Sequence, residues 1–221
     1  MEPQCAPWRD EEVSRAPEPP ATEQRRRILA ATAELVAERG YAAVTVDLIA
    51  TDAEVGKAIF YRHFEDKEAS YLSLYDELAA EAVREVGGAY HASAGPWPER
   101  VTAALVAAFR LAGAKSLATR ACLAEALGAG PLATERYERL RERFADLLRP
   151  GRALNARGEE LPETLEVTLG GGALWMIDRR LTGEGPESLR ALLPETLRFL
   201  LTPYVGDEQA SQAAFRRAPD Y

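Results

Sequence analysis

The sequence predicts an all-α fold, and three observations carry that prediction. Apolar residues recur at i, i+3, i+4 spacing from Thr22 onward. Gly and Pro break the pattern at intervals of about one helix length. No segment sustains the period-two alternation of a half-buried strand, and the one tempting stretch, residues 41–46, is short and flanked by helical pattern. The chain has 221 residues, 47% of them hydrophobic and 28% charged. That length suits one or two domains, and that composition is too apolar for a chain disordered throughout.

Residues 1–21 read as a disordered tail, without periodicity and closing on Pro-Glu-Pro-Pro. A first helix follows over 22–39, opened by Thr22, with Ile28, Leu29, Thr32, Leu35 and Val36 on one face; Gly40 stops it. Thr45 can cap a short helix whose stripe is Val46, Ile49, Ala50 and Ala53. A break at 54–56 leads to a second short helix over 57–64, with Ile59, Phe60 and Phe64 inward. Asp66 caps a longer helix expected to close at Gly87-Gly88. Five more helices fall near 98–112, 116–127, 131–149, 162–182 and 186–203, and a flexible tail is expected over 206–221.

Charge and composition exclude several classes. The formal net charge of −8 argues against indiscriminate coating of nucleic acid, but positive charge is clustered at Arg25-Arg26-Arg27 and at Lys57, Arg62 and His63. The acidic, Pro-rich start has no apolar signal-peptide core, and no stretch approaches the ~18 uncharged apolar residues of a membrane span. Cys5 and Cys122 make no disulfide framework and fit a reducing compartment. A cytoplasmic protein with no membrane partner is therefore expected. His63 and His91 are the only histidines, and Phe60 and Gly88 stand where a Glu-x-x-His metal pair would need Glu. With no Gly-rich phosphate loop and no nucleophile motif, neither enzyme activity, cofactor nor metal is expected.

The chemistry concentrates at 45–64. Two helices of about two turns, joined by a tight turn and preceded by a longer helix, match the helix-turn-helix arrangement, whose second helix enters the DNA major groove. Its expected outer face holds Gly56, Lys57, Ala58, Tyr61 and Arg62. Tyr61, His63 and Lys67 can donate to phosphate oxygens, and Lys57 can reach a guanine edge. On composition alone, plain helix packing remains the commoner meaning of such a pair.

Residues 40–68, GYAAVTVDLIATDAEVGKAIFYRHFEDKE, closely resemble the DNA-binding headpiece of the TetR-like bacterial transcriptional regulators. The matching positions are Gly40, Thr45, Ile49-Ala50, the turn Ala53-Glu54-Val55, Tyr61 through Phe64, and Lys67. Three departures stand out. Glu54 replaces a usual Gly, at a cost of about 1 kcal/mol if its φ is positive. Gly56 replaces a usual Ser or Thr, and Ile59 replaces a residue that often offers phosphate a hydroxyl.

The resemblance implies a helix-turn-helix domain over 22–66 and a helical effector-binding and dimerisation domain over 67–205. It implies a repressor that binds a palindromic operator in double-stranded DNA as a homodimer and is released by a small-molecule effector. Thr45, Gly56, Lys57, Ala58, Tyr61, Arg62, His63 and Lys67 would contact DNA. Phe109, Arg110, Cys122, Glu125 and Trp175 are candidate effector-pocket residues, each also readable as core or surface. Leu169, Gly172, Leu197, Leu200 and Leu201, on two helices with much apolar surface, are candidates for the dimer interface; the run Gly170-Gly171-Gly172 signals a helix break or a close helix approach. The arginine run at 25–27, by itself a solvated helix face, would there lie beside the duplex backbone. The stretch 135–149 alternates Arg with Glu around an apolar stripe and reads as an amphipathic surface helix. The competing reading is a helical small-molecule-binding or scaffold protein whose headpiece is no longer used on DNA.

Overall fold

A computed structural model describes residues 20–216, with side chains as far as Ala214. The described residues form nine α-helices and no strand. They are α1 Ala21–Arg39, α2 Val46–Asp52, α3 Lys57–His63, α4 Lys67–Ala92, α5 Trp97–Ala114, α6 Ser116–Glu125, α7 Pro131–Leu148, α8 Leu165–Gly183 and α9 Leu189–Arg216. Residues 41–46 form no strand: Tyr41–Ala43 is a single 3-10 turn. Almost all of the expected N-terminal tail lies outside the described residues.

Two apolar clusters organise the helices. In the first, Ile28, Leu35 and Val36 of α1 pack on Ile49 and Ala50 of α2, Phe60 of α3 and Tyr71 of α4, and Cys122 and Ala133 from α6 and α7 join them. The second is the body: Val86 and Tyr90 of α4, Val101 and Leu105 of α5, Leu169 and Ile177 of α8, and Leu193, Leu197 and Leu201 of α9. Helix α4 belongs to both clusters and so joins the headpiece to the body.

Three local expectations are corrected by packing. Helix α4 does not close at Gly87-Gly88 but continues to Ala92, because Val86 and Tyr90 are buried on either side of the pair. That burial outweighs the roughly 1 kcal/mol that each Gly costs a helix interior. Helix α8 is unbroken at its Gly run: a Cβ on Gly172 would lie 2.7 Å from the Phe199 ring, so close helix approach is its reason. From residue 206 the chain is helical rather than a loose tail. It breaks direction at Gly206 (φ 78°) and continues to Arg216, with Ala210 and Ala214, one turn apart, buried on the body core.

A buried ion pair fastens the connection from α7 to α8. Arg152 donates to both oxygens of Glu166, at 2.7 and 2.9 Å, and to the carbonyls of Gly158, Leu161 and Pro162; Tyr204 of α9 adds a donor at 3.1 Å. Burial alone would raise the Glu166 carboxyl, but the hydrogen bonds from Arg152 and Tyr204 hold it below its ordinary value of 4.5. Its contribution is therefore complete above about pH 4.5 and is lost as the pH falls through the lower folded value. Glu166→Gln is expected to destabilise the protein by about 2 kcal/mol at pH 7, with the difference from the parent shrinking on acidification. Urea unfolding at pH 7 and pH 3.5 checks this; a difference independent of pH would show that the carboxylate charge contributes nothing.

Candidate functional site

The headpiece surface begins with Thr45, whose hydroxyl accepts from the Leu48 amide (3.3 Å) and starts α2. The turn after α2 places Glu54 at φ 51°, the left-handed region in which Gly is free of cost. Helix α3 is anchored from below by Phe60, which is fully buried, and by Phe64. Its other face is consequently outward: Lys57, Ala58 and Arg62 are exposed, and so is Tyr61 at 55%. Gly56 caps α3 with open space around it. Lys57 pairs at 2.6 Å with Asp47 of α2, which holds its amine above the usual lysine value, so the first turns of α2 and α3 border one surface.

Two expected phosphate donors are placed differently. The Lys67 ammonium turns inward, donating to the carbonyls of Tyr41 (3.0 Å) and Val44 (2.9 Å) and lying 4.4 Å from the Tyr41 ring centroid. It closes the 3-10 turn onto α4 and is a positioning residue. His63 is half-buried, with Nε2 3.3 Å from the Gln24 side-chain oxygen; Arg62 donates to the same oxygen at 3.0 Å. The arginine run is also engaged within the chain. Arg25 pairs with Glu77 and donates to Ser73 (2.7 Å), Arg26 pairs with Glu23 (2.6 Å), and Arg27 pairs with Glu54 (2.5 Å).

Behind the headpiece, α6 touches it on one side and a cavity on the other. Toward the headpiece, Arg120 donates to the Ala37 carbonyl (3.1 Å), and Glu125 accepts from the Tyr41 amide (2.9 Å). Tyr71 of α4 donates to the Ala121 carbonyl (3.0 Å). Gly40, beside the Glu125 carboxylate, takes the left-handed φ of 77° that favours glycine. Toward the body, Thr119, Cys122 and Leu123 line an apolar cavity. It consists of two adjoining voids of about 70 and 60 Å³ that share Val86, Ala108, Phe144, Leu174 and Ile177. Burial pushes the Cys122 thiol and the Tyr75 phenol well up from their ordinary values, so both stay neutral.

Residues 28–72, which span α2, the turn and α3, match the family model described as bacterial regulatory proteins, tetR family. Over 79 residues the chain is 32% identical to the uncharacterized HTH-type transcriptional regulator YerO of Bacillus subtilis strain 168. The chain carries a TetR-like headpiece. The YerO match covers 36% of this chain but spans only 27% of that relative. Two solved structures extend the likeness of fold to the body of the chain. The fatty acid degradation regulator FadR from Bacillus halodurans gives a TM-score of 0.69 at 20% identity, over 84% of this chain and 97% of its own. FadR from Bacillus subtilis, solved in complex with stearoyl-CoA, gives 0.61 at 20% identity, over 80% and 97%.

Several sequence expectations are corrected by this geometry. Of the five pocket candidates, Cys122 alone lines the cavity. Phe109 and Arg110 lie along a surface groove against Pro186 and Leu189, Glu125 faces the headpiece, and Trp175 is 63% exposed on α8. Leu169, Leu197, Leu200 and Leu201 are covered by their own chain, each at most 5% exposed, because their stripes face the body core; Leu200 lines the cavity. The outward apolar groups near Gly172 are instead Trp175 and Phe199. Sequence reasoning missed Gln24 and Asp47. Gln24 falls one turn before Ile28 on the buried stripe of α1, a position where a polar side chain signals an internal partner.

Proposed function

We propose that this chain is a ligand-responsive DNA-binding transcriptional regulator, a repressor acting in the cytoplasm as a homodimer on a palindromic operator. The observation that carries the reading is the outward face of α3. Lys57, Ala58, Tyr61 and Arg62 are exposed on a helix pinned by Phe60, beside the exposed Thr45. Lys57, Ala58 and Arg62 would meet base edges, with Gly56 permitting close approach, while Thr45 and Tyr61 would hold phosphates. Residues 22–66 are the DNA-binding unit in this reading and the remaining helices the effector-binding and dimerising one.

The exposed Trp175 and Phe199 supply an apolar patch for a two-fold partner, and two-fold symmetry in the protein calls for palindromic half-sites. The cavity is the effector site. Helix α6 borders it through Thr119 and Cys122 and holds the headpiece through Arg120 and Glu125, so a ligand that favours one setting of α6 shifts the population of DNA-binding geometries. The stearoyl-CoA complex of B. subtilis FadR, similar in fold, supports an effector role for this body.

The test is retardation of the purified chain on duplexes selected from a random library, at 50 and 200 mM salt, with sedimentation of the complexes. Salt-sensitive, sequence-selective binding of two chains per site, lost in Tyr61→Ala, is the expected result. Absence of salt-sensitive retardation would instead favour a helical small-molecule-binding protein with an unused headpiece.

A further inference from the structure

The walls of the cavity are uniform in chemistry. No charged side chain lines either void, and almost no nitrogen or oxygen reaches their surface. The wall residues that carry hydroxyls, Tyr75 of α4 and Thr119 of α6, present carbon there, their oxygens being sealed from contact. The two voids meet at Val86, Ala108, Phe144, Leu174 and Ile177, which face both. Their combined volume, about 130 Å³, is of the order of an apolar cavity that accepts one benzene-sized molecule.

We propose that the effector is recognised through a compact hydrocarbon body alone: what the two voids seat is benzene-sized and carries no hydrogen-bonding atom. The proposal rests on the reading of this cavity as the effector site. Water entering the voids would find no polar partner, so only an apolar occupant gains by filling them. A hydrocarbon supplies the van der Waals contacts that the lining atoms lack and leaves no hydrogen bond unmade. A hydroxyl or carbonyl in the same space gives up its bonds to water and meets no donor or acceptor in exchange. A carboxylate, or the phosphates of a coenzyme A thioester, would bury an uncompensated charge, and an eighteen-carbon acyl chain exceeds the space. A body that fills the junction presses on Val86 of α4 and, in the second void, on Cys122 of α6. These two helices also grip the headpiece, through Lys67 on one and Arg120 and Glu125 on the other.

Toluene and phenol, which exchange a methyl for a hydroxyl, decide the matter on the full chain by titration calorimetry, with benzoate and octanoyl-CoA beside them. The parent is expected to bind toluene about tenfold more tightly than phenol, and the two anions more weakly still. Ala108→Leu adds carbons at the junction of the voids and should abolish toluene binding. Leu174→Ala enlarges the same junction and should move the preference from toluene toward naphthalene, which keeps the test open where the added carbons of the first variant unfold the chain. Tighter binding of phenol, benzoate or octanoyl-CoA than of toluene overturns the proposal. So does absence of toluene binding, or toluene binding that both variants leave unchanged. The selected duplex separates this proposal from the regulator reading. Toluene that weakens salt-sensitive duplex binding supports an effector of this class, and toluene that binds without altering it overturns the effector role. Toluene binding in a chain that retards no duplex supports the hydrocarbon site and counts against the regulator reading. Salt-sensitive duplex binding in a chain that ignores toluene counts against this proposal alone.

Discussion

Lys67→Ala is expected to lower the stability of the protein by about 3 kcal/mol and to weaken binding to every duplex alike, without altering the salt dependence of that binding. The ammonium makes two charge-assisted hydrogen bonds, to the Tyr41 and Val44 carbonyls, each worth ~1.5–3 kcal/mol. It also lies over the Tyr41 ring, for ~0.5–1 kcal/mol more. Water reaching the half-buried carbonyls recovers part of that total. For a chain of this size, about 3 kcal/mol corresponds to a fall in Tm of roughly 6–12 °C. The DNA effect is indirect: the clamp fixes the 3-10 turn, and with it the start of α2, against α4. A phosphate contact would behave otherwise, since removing one flattens the dependence of log K on log salt by about 0.9. Thermal melting together with salt titrations separates the two roles. An unchanged Tm with a flatter salt slope would return Lys67 to the duplex backbone.

Asp47→Asn is expected to tighten binding to all duplexes by about tenfold at low salt and to narrow the gap between preferred and random sequences. Asp47 places a carboxylate on the outward surface and holds Lys57 at 2.6 Å. An exposed pair of this kind stabilises the fold little, so the substitution leaves the melting temperature near that of the parent. Near phosphates the same carboxylate repels, and its removal steepens the salt slope by roughly one contact. Selectivity falls because Lys57 is a flexible stem that Asp47 holds in one position; released, it reaches many acceptors equally well. Affinities of parent and variant for the selected duplex and a scrambled one, across salt, provide the measurement. Unchanged affinity for both would place Asp47 and Lys57 outside the contact surface.

Much of the headpiece was legible in the sequence because its determinants are local. Thr45 as a cap, the Ile49-Ala50 stripe, Gly40 as a stop and the Phe60–Phe64 pair each act within one or two helical turns, and each is found in place. The outward set Lys57, Ala58, Tyr61 and Arg62 follows once Phe60 is known to face inward. The turn at Glu54 has the positive φ that a replaced Gly suggests. Less of the body was legible. Apolar spacing there announces helices but not what each stripe faces, so Leu197 and Leu201 read equally well as partner surface or as core.

What the sequence determined by itself was therefore the all-α class, most helix positions and the identity of the headpiece, all set by periodicity and by capping and turn chemistry over short separations. Only the tertiary structure decided which charges remain outward. Lys67 is drawn to carbonyls more than twenty residues away, Gln24 receives Arg62 and His63 across the headpiece, and Arg25 reaches Glu77. It also decided that α4 passes through its glycine pair and that Tyr75 and Thr119, on different helices, share one cavity. The physical reason is the same in each case. Burial and hydrogen-bond pairing across distant segments carry several kcal/mol, whereas local propensities carry about one, and the spacing of residues along a chain does not reveal which distant groups meet.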